Sequence, residues 1–194
     1  MRWLLRIAIL CTAIAMGVRG EVAYGGFCIV ALAIASGVGR FARGPELALL
    51  LLMVADMLLG HGLGLYRAIS WYDKALHLCA AALVGLLVFV AVYAVRVGGR
   101  YRSNAWIDGL AVLLVTLGIG AVWELTEYAV DALAGAGAQA APGLAAIDDT
   151  MLDLLIDACG ALAAAALGPL WLRYSQRSRE QIVAIAERLA PARD

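Results

Sequence analysis

The chain has 194 residues, of which 64% are hydrophobic and 15% charged, and its mean hydropathy is +0.87. Several apolar stretches are long enough to cross a bilayer, which excludes a soluble globular protein. The formal net charge is zero, so nothing favours nucleic-acid binding, and the four cysteines form no Cys-x-x-Cys pair that would indicate a metal or redox motif.

Apolar segments follow one another along the chain, and each predicts a transmembrane helix. They cover residues 3–18, 22–39, 46–64, 75–95, 105–130 and 151–172. The expected fold class is therefore all-α: a polytopic membrane bundle of six transmembrane helices, forming one domain over residues 1–174. The first segment, with Arg2 and Arg6 before an apolar run, also has the pattern of a signal peptide, and we expect it to be retained.

Residues 175–194 predict a cytoplasmic tail that contains a short amphipathic helix. Ser178 and Gln181 have the spacing of a capping box. One helical face is apolar and carries Ile182, Ile185, Ala186 and Leu189. Arginines on the other face suit anionic headgroups, which favours a helix on the inner membrane surface; an ordinary solvated tail fits the pattern equally well.

Basic residues are distributed unevenly between the two predicted sides of the membrane. Of 15 in total, only Arg19, Arg67 and Lys74 fall on the side opposite the N-terminus. Because positively charged loops stay in the cytoplasm, this asymmetry predicts a multi-pass protein of the bacterial inner membrane with both termini cytoplasmic. The Ala/Gly-rich loop from Ala132 to Ala146 then lies outside, where it can cover a site.

The last segment begins with three aspartates spaced four residues apart, Asp149, Asp153 and Asp157. This spacing places them on one face of a helix. A carboxylate at the centre of a bilayer costs roughly 2.5–3.5 kcal/mol on insertion scales. The three therefore predict a partner, which is a cation, a proton or a base. Small residues further along the segment predict a helix at the centre of the bundle.

Three other segments present carboxylate or imidazole groups at the same predicted leaflet. Oxygen ligands with one or two imidazoles suit a divalent metal such as Mg²⁺, Mn²⁺, Ca²⁺ or Zn²⁺. The predicted metal ligands are Glu124, Glu127, Asp149, Asp153, Asp157, His77 and His61.

Asp73 and His77, spaced i,i+4, are also the predicted general acid and base. Other interpretations stay open: Asp73 pairs locally with Lys74 or Arg67, and His61 simply ends a helix between glycines. Asp56, in mid-segment, is either a buried hydrogen-bonded acid or a member of a proton relay.

Three motifs, GHGLGLYRAISWYDKALH, WELTEY and DDTMLDLLIDACGA, occur in this order between about residues 50 and 170. In this order they resemble the YjdF-like bacterial inner-membrane proteins, a family of unknown function, and more distantly the VanZ-like proteins. The resemblance implies a polar site, and Asp157 departs from the family pattern. The positions that it carries over are His61, Asp73, His77, Glu124, Glu127, Asp149 and Asp153.

Three functions are consistent with this pattern. The first is a divalent-metal-dependent enzyme acting on a lipid-linked phosphate in the membrane; against it, only Arg67 and Lys74 are available to hold phosphate. The second is a proton- or metal-ion-binding transporter, for which a homodimer would supply a path through the membrane. The third is a structural membrane protein without catalytic activity, in which the polar groups bond helices together.

Overall fold

The structure, a computed structural model, describes residues 1–40, 43–99, 102–135, 140–141 and 143–189, and within these ranges it contains helices and no strands. The predicted all-α class is therefore confirmed. The helices are α1 (Arg2–Val18), α2 (Val22–Gly39), α3 (Arg43–Met53), the π-helical stretch Val54–Gly62 that we call the π segment, α4 (Leu65–Ala68), α5 (Tyr72–Val97), α6 (Ala105–Ala134), α7 (Ala146–Tyr174) and α8 (Gln176–Leu189).

Five helical stretches of the described chain are long and apolar enough to cross a membrane, which makes this a multi-pass membrane protein. They are Val22–Gly39, Arg43–Gly62, Tyr72–Val97, Ala105–Leu133 and Ala146–Tyr174. The predicted count of six is not confirmed, because α1 is helical where expected but has only 17 residues. At 1.5 Å per residue α1 is about 26 Å long, slightly shorter than the hydrocarbon layer.

Helix α6 begins where predicted and ends four residues later than predicted, and α7 is longer than predicted at both ends. The side chain of Asn104 accepts hydrogen bonds from the backbone N–H groups of Trp106 and Ile107, both at 3.0 Å, and this cap fixes the start of α6. Gly135 ends the same helix in a left-handed conformation, with φ of 60°. Since α7 begins at Ala146, five residues earlier than predicted, all three aspartates of its first turns lie inside the helix.

The helices form two groups with separate hydrophobic cores. We call α1, α2, α3, the π segment and α4 the first half, and α5 to α8 the second half. The buried core of the first half contains Ile9, Ala13, Cys28, Ala35, Leu50, Met53 and Met57. The core of the second half contains Phe89, Val112, Ala164, Leu172 and Ile182.

The boundary between the halves, which we call the seam, is crossed by helix packing, a hydrogen bond and ring contacts. Helix α3 packs against α5. Tyr72 at the start of α5 donates a hydrogen bond to the carbonyl oxygen of Ala55 in the π segment at 2.7 Å, and its ring lies 5.4 Å from that of Tyr66. The rings of Phe27 and Trp123 lie 5.8 Å apart and join α2 to α6.

Small residues bring α5 and α7 close together. A Cβ added at Gly160 would lie 2.8 Å from the Cβ of Ala81 and 2.9 Å from the carbonyl oxygen of Leu78. A Cβ at Gly85 would lie 2.7 Å from the Cβ of Ala164. This approach, together with its packing on α6, places α7 at the centre of the second half, as its small residues predicted.

Helix α8 packs on the second half. Ile182 and Ala186 are each only 5% exposed, and α8 contacts α5 and α7. Part of the apolar face of the tail is thus covered by protein, and its position at the inner membrane surface stays a prediction. The side chains of Ile185 and Leu189 and residues 190–194 lie outside the described part of the chain. The helix begins at Gln176, and Ser175 Oγ accepts a hydrogen bond from the N–H of Ser178, so the predicted cap at Ser178 is wrong.

Candidate metal centre

The first turns of α5, the last turns of α6 and the first turns of α7 meet at one end of the second half, which we call the acidic end. Asp73 and His77 come from α5 and Glu124 from α6. Asp149, Asp153 and Asp157 come from one buried face of α7, as their spacing predicted. Gly120 on α6 makes this arrangement compatible with close packing, because a Cβ there would overlap the carboxylate of Asp157.

His77 is at the centre of the carboxylates. Its Nε2 atom lies 3.9 Å from each of three oxygens: Oδ1 of Asp73, Oε1 of Glu124 and Oδ1 of Asp153. Its Nδ1 atom lies 3.3 Å from Oδ1 of Asp157, within hydrogen-bonding distance. The ring is therefore oriented by Asp157, and its other nitrogen faces three oxygens that are too distant for hydrogen bonds.

Lys74 binds three of the aspartates from the opposite side. Its Nζ atom donates to Oδ2 of Asp73 at 2.8 Å, to Oδ2 of Asp153 at 2.6 Å and to Oδ1 of Asp149. The sequence predicted at most a local pair with Asp73. Because Lys74 takes Oδ2 of both Asp73 and Asp153, it leaves Oδ1 of each directed at His77.

Two buried acids at this end have oxygens without hydrogen-bond partners in the described structure. Both carboxylate oxygens of Glu124 and Oδ1 of Asp153 are in this position, although the residues are only 4% and 3% exposed. The Thr150 side chain also approaches Glu124. Buried polar atoms in native proteins are nearly always satisfied, so these oxygens indicate a cationic ligand or bound protons.

The charges of this end do not balance. Asp73, Glu124, Asp149, Asp153 and Asp157 contribute five carboxylates, against one charge from Lys74. With neutral His77 the group carries −5 + 1 = −4, and with protonated His77 it carries −3, if every carboxylate is ionised. Packed carboxylates of this kind either share protons or recruit a cation.

The ligand atoms are spaced for one metal ion. Asp73, His77 and Asp153 each offer an atom that lies within 4.8 Å of the others, and Glu124 adds a fourth at 3.9 Å from His77 Nε2. Around a tetrahedral ion with bonds of about 2.1 Å, ligand atoms stand about 3.4 Å apart. To surround an ion such as Zn²⁺, the 3.9 Å contacts of His77 would contract by about half an ångström. The oxygens of Asp73 and Asp153, which lie within 4.8 Å of each other, would approach by up to about 1.4 Å.

A second polar cluster lies across the seam in the first half. Tyr66 donates a hydrogen bond to Oδ1 of Asp56 at 2.5 Å, and His61 Nε2 is 3.7 Å from the same oxygen. The His61 ring lies between the rings of Tyr24 and Tyr66, at centroid distances of 4.3 and 4.8 Å. Burial and the neighbouring Asp56 raise the pKa of the Tyr66 phenol above its ordinary range, so Tyr66 acts as a neutral donor.

The π segment is what turns Asp56 and His61 toward the seam. The N–H of Leu63 donates to the carbonyl of Leu58, five residues earlier, at 2.9 Å, and Tyr72 takes the carbonyl of Ala55. Such wider turns shift the side chains that follow, and they occur frequently at functional sites. Gly60 is needed here, because a Cβ would overlap the Tyr66 ring.

The structure brings most of the predicted site residues together around His77 and places His61 and Glu127 elsewhere. Asp73, His77, Glu124, Asp153 and Asp157 meet around His77, and Asp149 is held beside them by Lys74 and by the N–H of Ala141 at 2.6 Å. His61 lies with Asp56 across the seam. Glu127 accepts a hydrogen bond from Trp123 Nε1 at 2.7 Å.

Two cavities lie along the seam. The larger, which we call the chamber, has a volume of about 810 Å³ and is lined by polar groups from both halves, including Arg19, Asp56, His61, Arg67, Asp73, Glu127 and Asp149. The smaller, which we call the slot, has a volume of about 250 Å³ and is mainly apolar. Arg19, which the sequence did not associate with the site, thus joins Arg67 at the chamber wall. Lys74 is instead engaged by aspartates.

Comparison with known protein families identifies a match to a family whose reaction is not known. The family model described as "Predicted membrane protein (DUF2238)" matches residues 1–174. No curated protein and no solved structure shows significant similarity to the chain. The match covers α1 to α7 and all of the candidate site residues described above, and it ends before α8. The chain therefore belongs to the DUF2238 family of predicted membrane proteins, whose function is unknown, in agreement with the YjdF-like resemblance of its motifs.

Proposed function

We propose that this protein binds one divalent metal ion at the acidic end and uses it to act on the phosphate group of a membrane lipid. One observation carries the proposal: His77 Nε2 faces three carboxylate oxygens at 3.9 Å, and two of these, on Glu124 and Asp153, have no hydrogen-bond partner in the described chain. The ligands would be Asp73, His77, Glu124 and Asp153.

A metal ion accounts for the arrangement better than helix bonding alone. Interhelical polar contacts in membranes are worth only about 0.6 kcal/mol on average. Hydrogen bonding between helices would also use Oδ1 of Asp153, yet this oxygen has no hydrogen-bond partner in the part of the chain described here. Lys74 would act as a positioning residue, because it holds the second oxygen of Asp73 and of Asp153.

The chamber supplies the proposed phosphate site. Arg19 and Arg67 line it, and so does Asp73, one of the proposed ligands. Two guanidinium groups suit a phosphate, and a bound divalent ion would polarise a phosphoryl oxygen and lower the pKa of bound water. The chamber thus adds Arg19 to the bases that the sequence offered for an anion. A bound divalent ion would offset the carboxylates that line the same chamber, which are Glu21, Asp56, Asp73, Glu127 and Asp149.

Proton transfer is assigned to the first half. The sequence indicated His77 and Asp73 as base and acid, but both would be ligands once an ion is bound. We propose His61 for this role, since it lines the chamber and lies 3.7 Å from the Asp56 carboxylate that would orient it. We further propose that α1 is the sixth span, that both termini are cytoplasmic and that the chamber opens to the outside of a bacterial inner membrane.

The proposal is tested by metal binding before activity. Purified protein in lipid nanodiscs would be titrated with Mn²⁺, and free Mn²⁺ measured by electron paramagnetic resonance. We expect one site in the wild type and its loss in Glu124→Gln and Asp153→Asn. The matched control is Asp148→Asn, which removes an exposed carboxylate beside Asp149.

Two outcomes would contradict the proposal. If Mn²⁺ binds equally to the wild type and to both variants, the group around His77 does not hold the ion. If the ion binds there but crosses the membrane of proteoliposomes, and no lipid phosphate is converted, a transporter replaces the enzyme.

A further inference from the structure

The slot lies deeper in the bundle than the acidic end, between the two halves. Ala31, Leu49 and Leu52 form its wall on the first half, and Ala80, Val84 and Ile119 form its wall on the second. Ile119 is 47% exposed on the outside of the bundle. The slot therefore extends along the seam to the surface that we propose faces lipid.

The slot and the chamber adjoin each other. Both are lined by Asp56, Met57, Tyr66, Asp73, Trp123 and Glu127. This shared ring of residues is polar on most sides and lies directly beside His77, which also lines the slot. A ligand that fills both cavities must therefore have a polar end in the chamber and an apolar body in the slot.

We propose that the slot binds a single acyl chain of the lipid whose phosphate occupies the chamber. This inference rests on the proposed function and names its substrate class as a single-chain lipid phosphate. The chamber offers Arg19 and Arg67 to the anionic group, and the slot offers an apolar path of about 250 Å³, less than a third of the chamber volume.

The free energy that a chain gains by entering the slot determines which measurement can test the slot. A chain that leaves the bilayer for an apolar slot gains little, because lipid tails are as apolar as the slot walls. The slot therefore acts by placing the chain and with it the phosphate, rather than by adding affinity. A measurement of where the chain lies is more informative than a dissociation constant.

The experiment uses full-length protein in phosphatidylcholine nanodiscs with Mn²⁺. The probe is lysophosphatidic acid with a diazirine in its acyl chain, and the labelled peptides are identified by mass spectrometry. We expect labels on the slot walls of α3 and α6. Glycerol 3-phosphate, which has the headgroup without the chain, should compete with the probe for the chamber and so reduce labelling of the slot.

Two variants fill the slot from opposite sides, Ala31→Phe and Val84→Phe. Each should reduce slot labelling about fivefold or more, since overpacking penalties of this kind correspond to at least that change in an equilibrium. Ala33→Phe is the matched control, because Ala33 lies on the same helix as Ala31 and is exposed. Val84→Ala, which widens the slot, keeps the test usable if a phenylalanine variant does not fold.

The outcomes separate this inference from the proposed function. Labelling spread evenly over exposed helices, or unchanged by Ala31→Phe and Val84→Ala, overturns the slot assignment even if Mn²⁺ binds normally. Slot-specific labelling with no Mn²⁺ binding keeps the slot as a chain-binding site and overturns the metal centre.

Discussion

The polar clusters on the two sides of the seam stabilise their acids by different means. At the acidic end, five carboxylates from three helices are gathered around Lys74 and His77 and are held by close packing at small residues. Across the seam, Asp56 accepts a hydrogen bond from Tyr66, ten residues away, and His61 lies between aromatic rings. The acidic end therefore depends on long-range charge pairing and the Asp56 cluster on local hydrogen bonding.

The contrast concerns these two clusters and not every acid of each half. In the first half, the fully buried Glu46 of α3 forms ion pairs with Arg2 and Arg6 of α1, 44 and 40 residues away.

This difference has a functional counterpart. The second half holds the proposed metal ligands between α5, α6 and α7, because His77 faces Glu124 and Asp153, which belong to the other two helices. The first half contributes His61 and the slot wall through the π segment, whose wider turns leave a carbonyl for Tyr72. The proposed reaction would thus use metal ligands from regular helices of the second half and His61 from the π segment of the first half.

The largest effect is expected where the second half is packed most closely. Gly160→Leu would force α5 and α7 apart at Ala81 and Leu78, and we expect loss of the folded protein or at least about 3 kcal/mol of unfolding free energy. Unfolding titrations in mixed micelles measure this. Gly118→Leu is the control, because a side chain there meets open space. Equal stability of the two variants would mean that the contact of α5 with α7 does not hold this half together.

The next test removes the central cation. Lys74→Met leaves Asp149 and Asp153 buried at about 4% side-chain exposure without their partner, and we expect a loss of about 3–5 kcal/mol. Adding Asp149→Asn should recover part of that loss, because it removes one uncompensated charge. The same unfolding titration compares the single and double variants. If the single variant is as stable as the wild type, charge pairing does not organise this half.

The matching test in the first half predicts a smaller effect. Tyr66→Phe removes the hydroxyl that donates to Asp56 at 2.5 Å, and we expect a loss of about 1–3 kcal/mol. The control is Tyr128→Phe, since Tyr128 is 59% exposed. A loss as large as that of Lys74→Met would contradict the distinction between local and long-range pairing.

The smallest effect concerns the seam. A double-mutant cycle with Phe27→Leu and Trp123→Leu isolates the ring contact that joins α2 to α6 at 5.8 Å. We expect a coupling energy of about 0.5–1.5 kcal/mol. Zero coupling would indicate that the halves are independent at this contact, and a much larger value would mean that they form one core.

The sequence predicted those features that depend on local periodicity. Apolar runs located the helices to within a few residues, and four-residue spacing placed Asp149, Asp153 and Asp157 on one face, which the structure shows buried. The sixth span was not confirmed, because α1 is only 17 residues long. Hydropathy reports the apolar composition of a segment, whereas a transmembrane span also requires a helix of sufficient length.

Features that depend on distant partners were not predictable in this way. Lys74 binds Asp149 and Asp153 across 75 and 79 residues, and no spacing rule links them. The π segment was missed because a period of 3.6 residues does not reveal a carbonyl bonded five residues on. The amphipathic pattern of α8 marked an apolar face without telling whether lipid or Ile182's neighbours on α5 cover it.

The separation between Lys74 and its partners also bears on biosynthesis. Asp149 leaves the ribosome 75 residues after Lys74, which at 5–20 residues per second is a delay of roughly 4–15 s. Asp56 meets Tyr66 after only ten residues. Of the three aspartates that bind Lys74 in the described structure, only Asp73 has been synthesised during that delay. Helix α5 therefore passes through this stage of translation before either of its α7 partners exists.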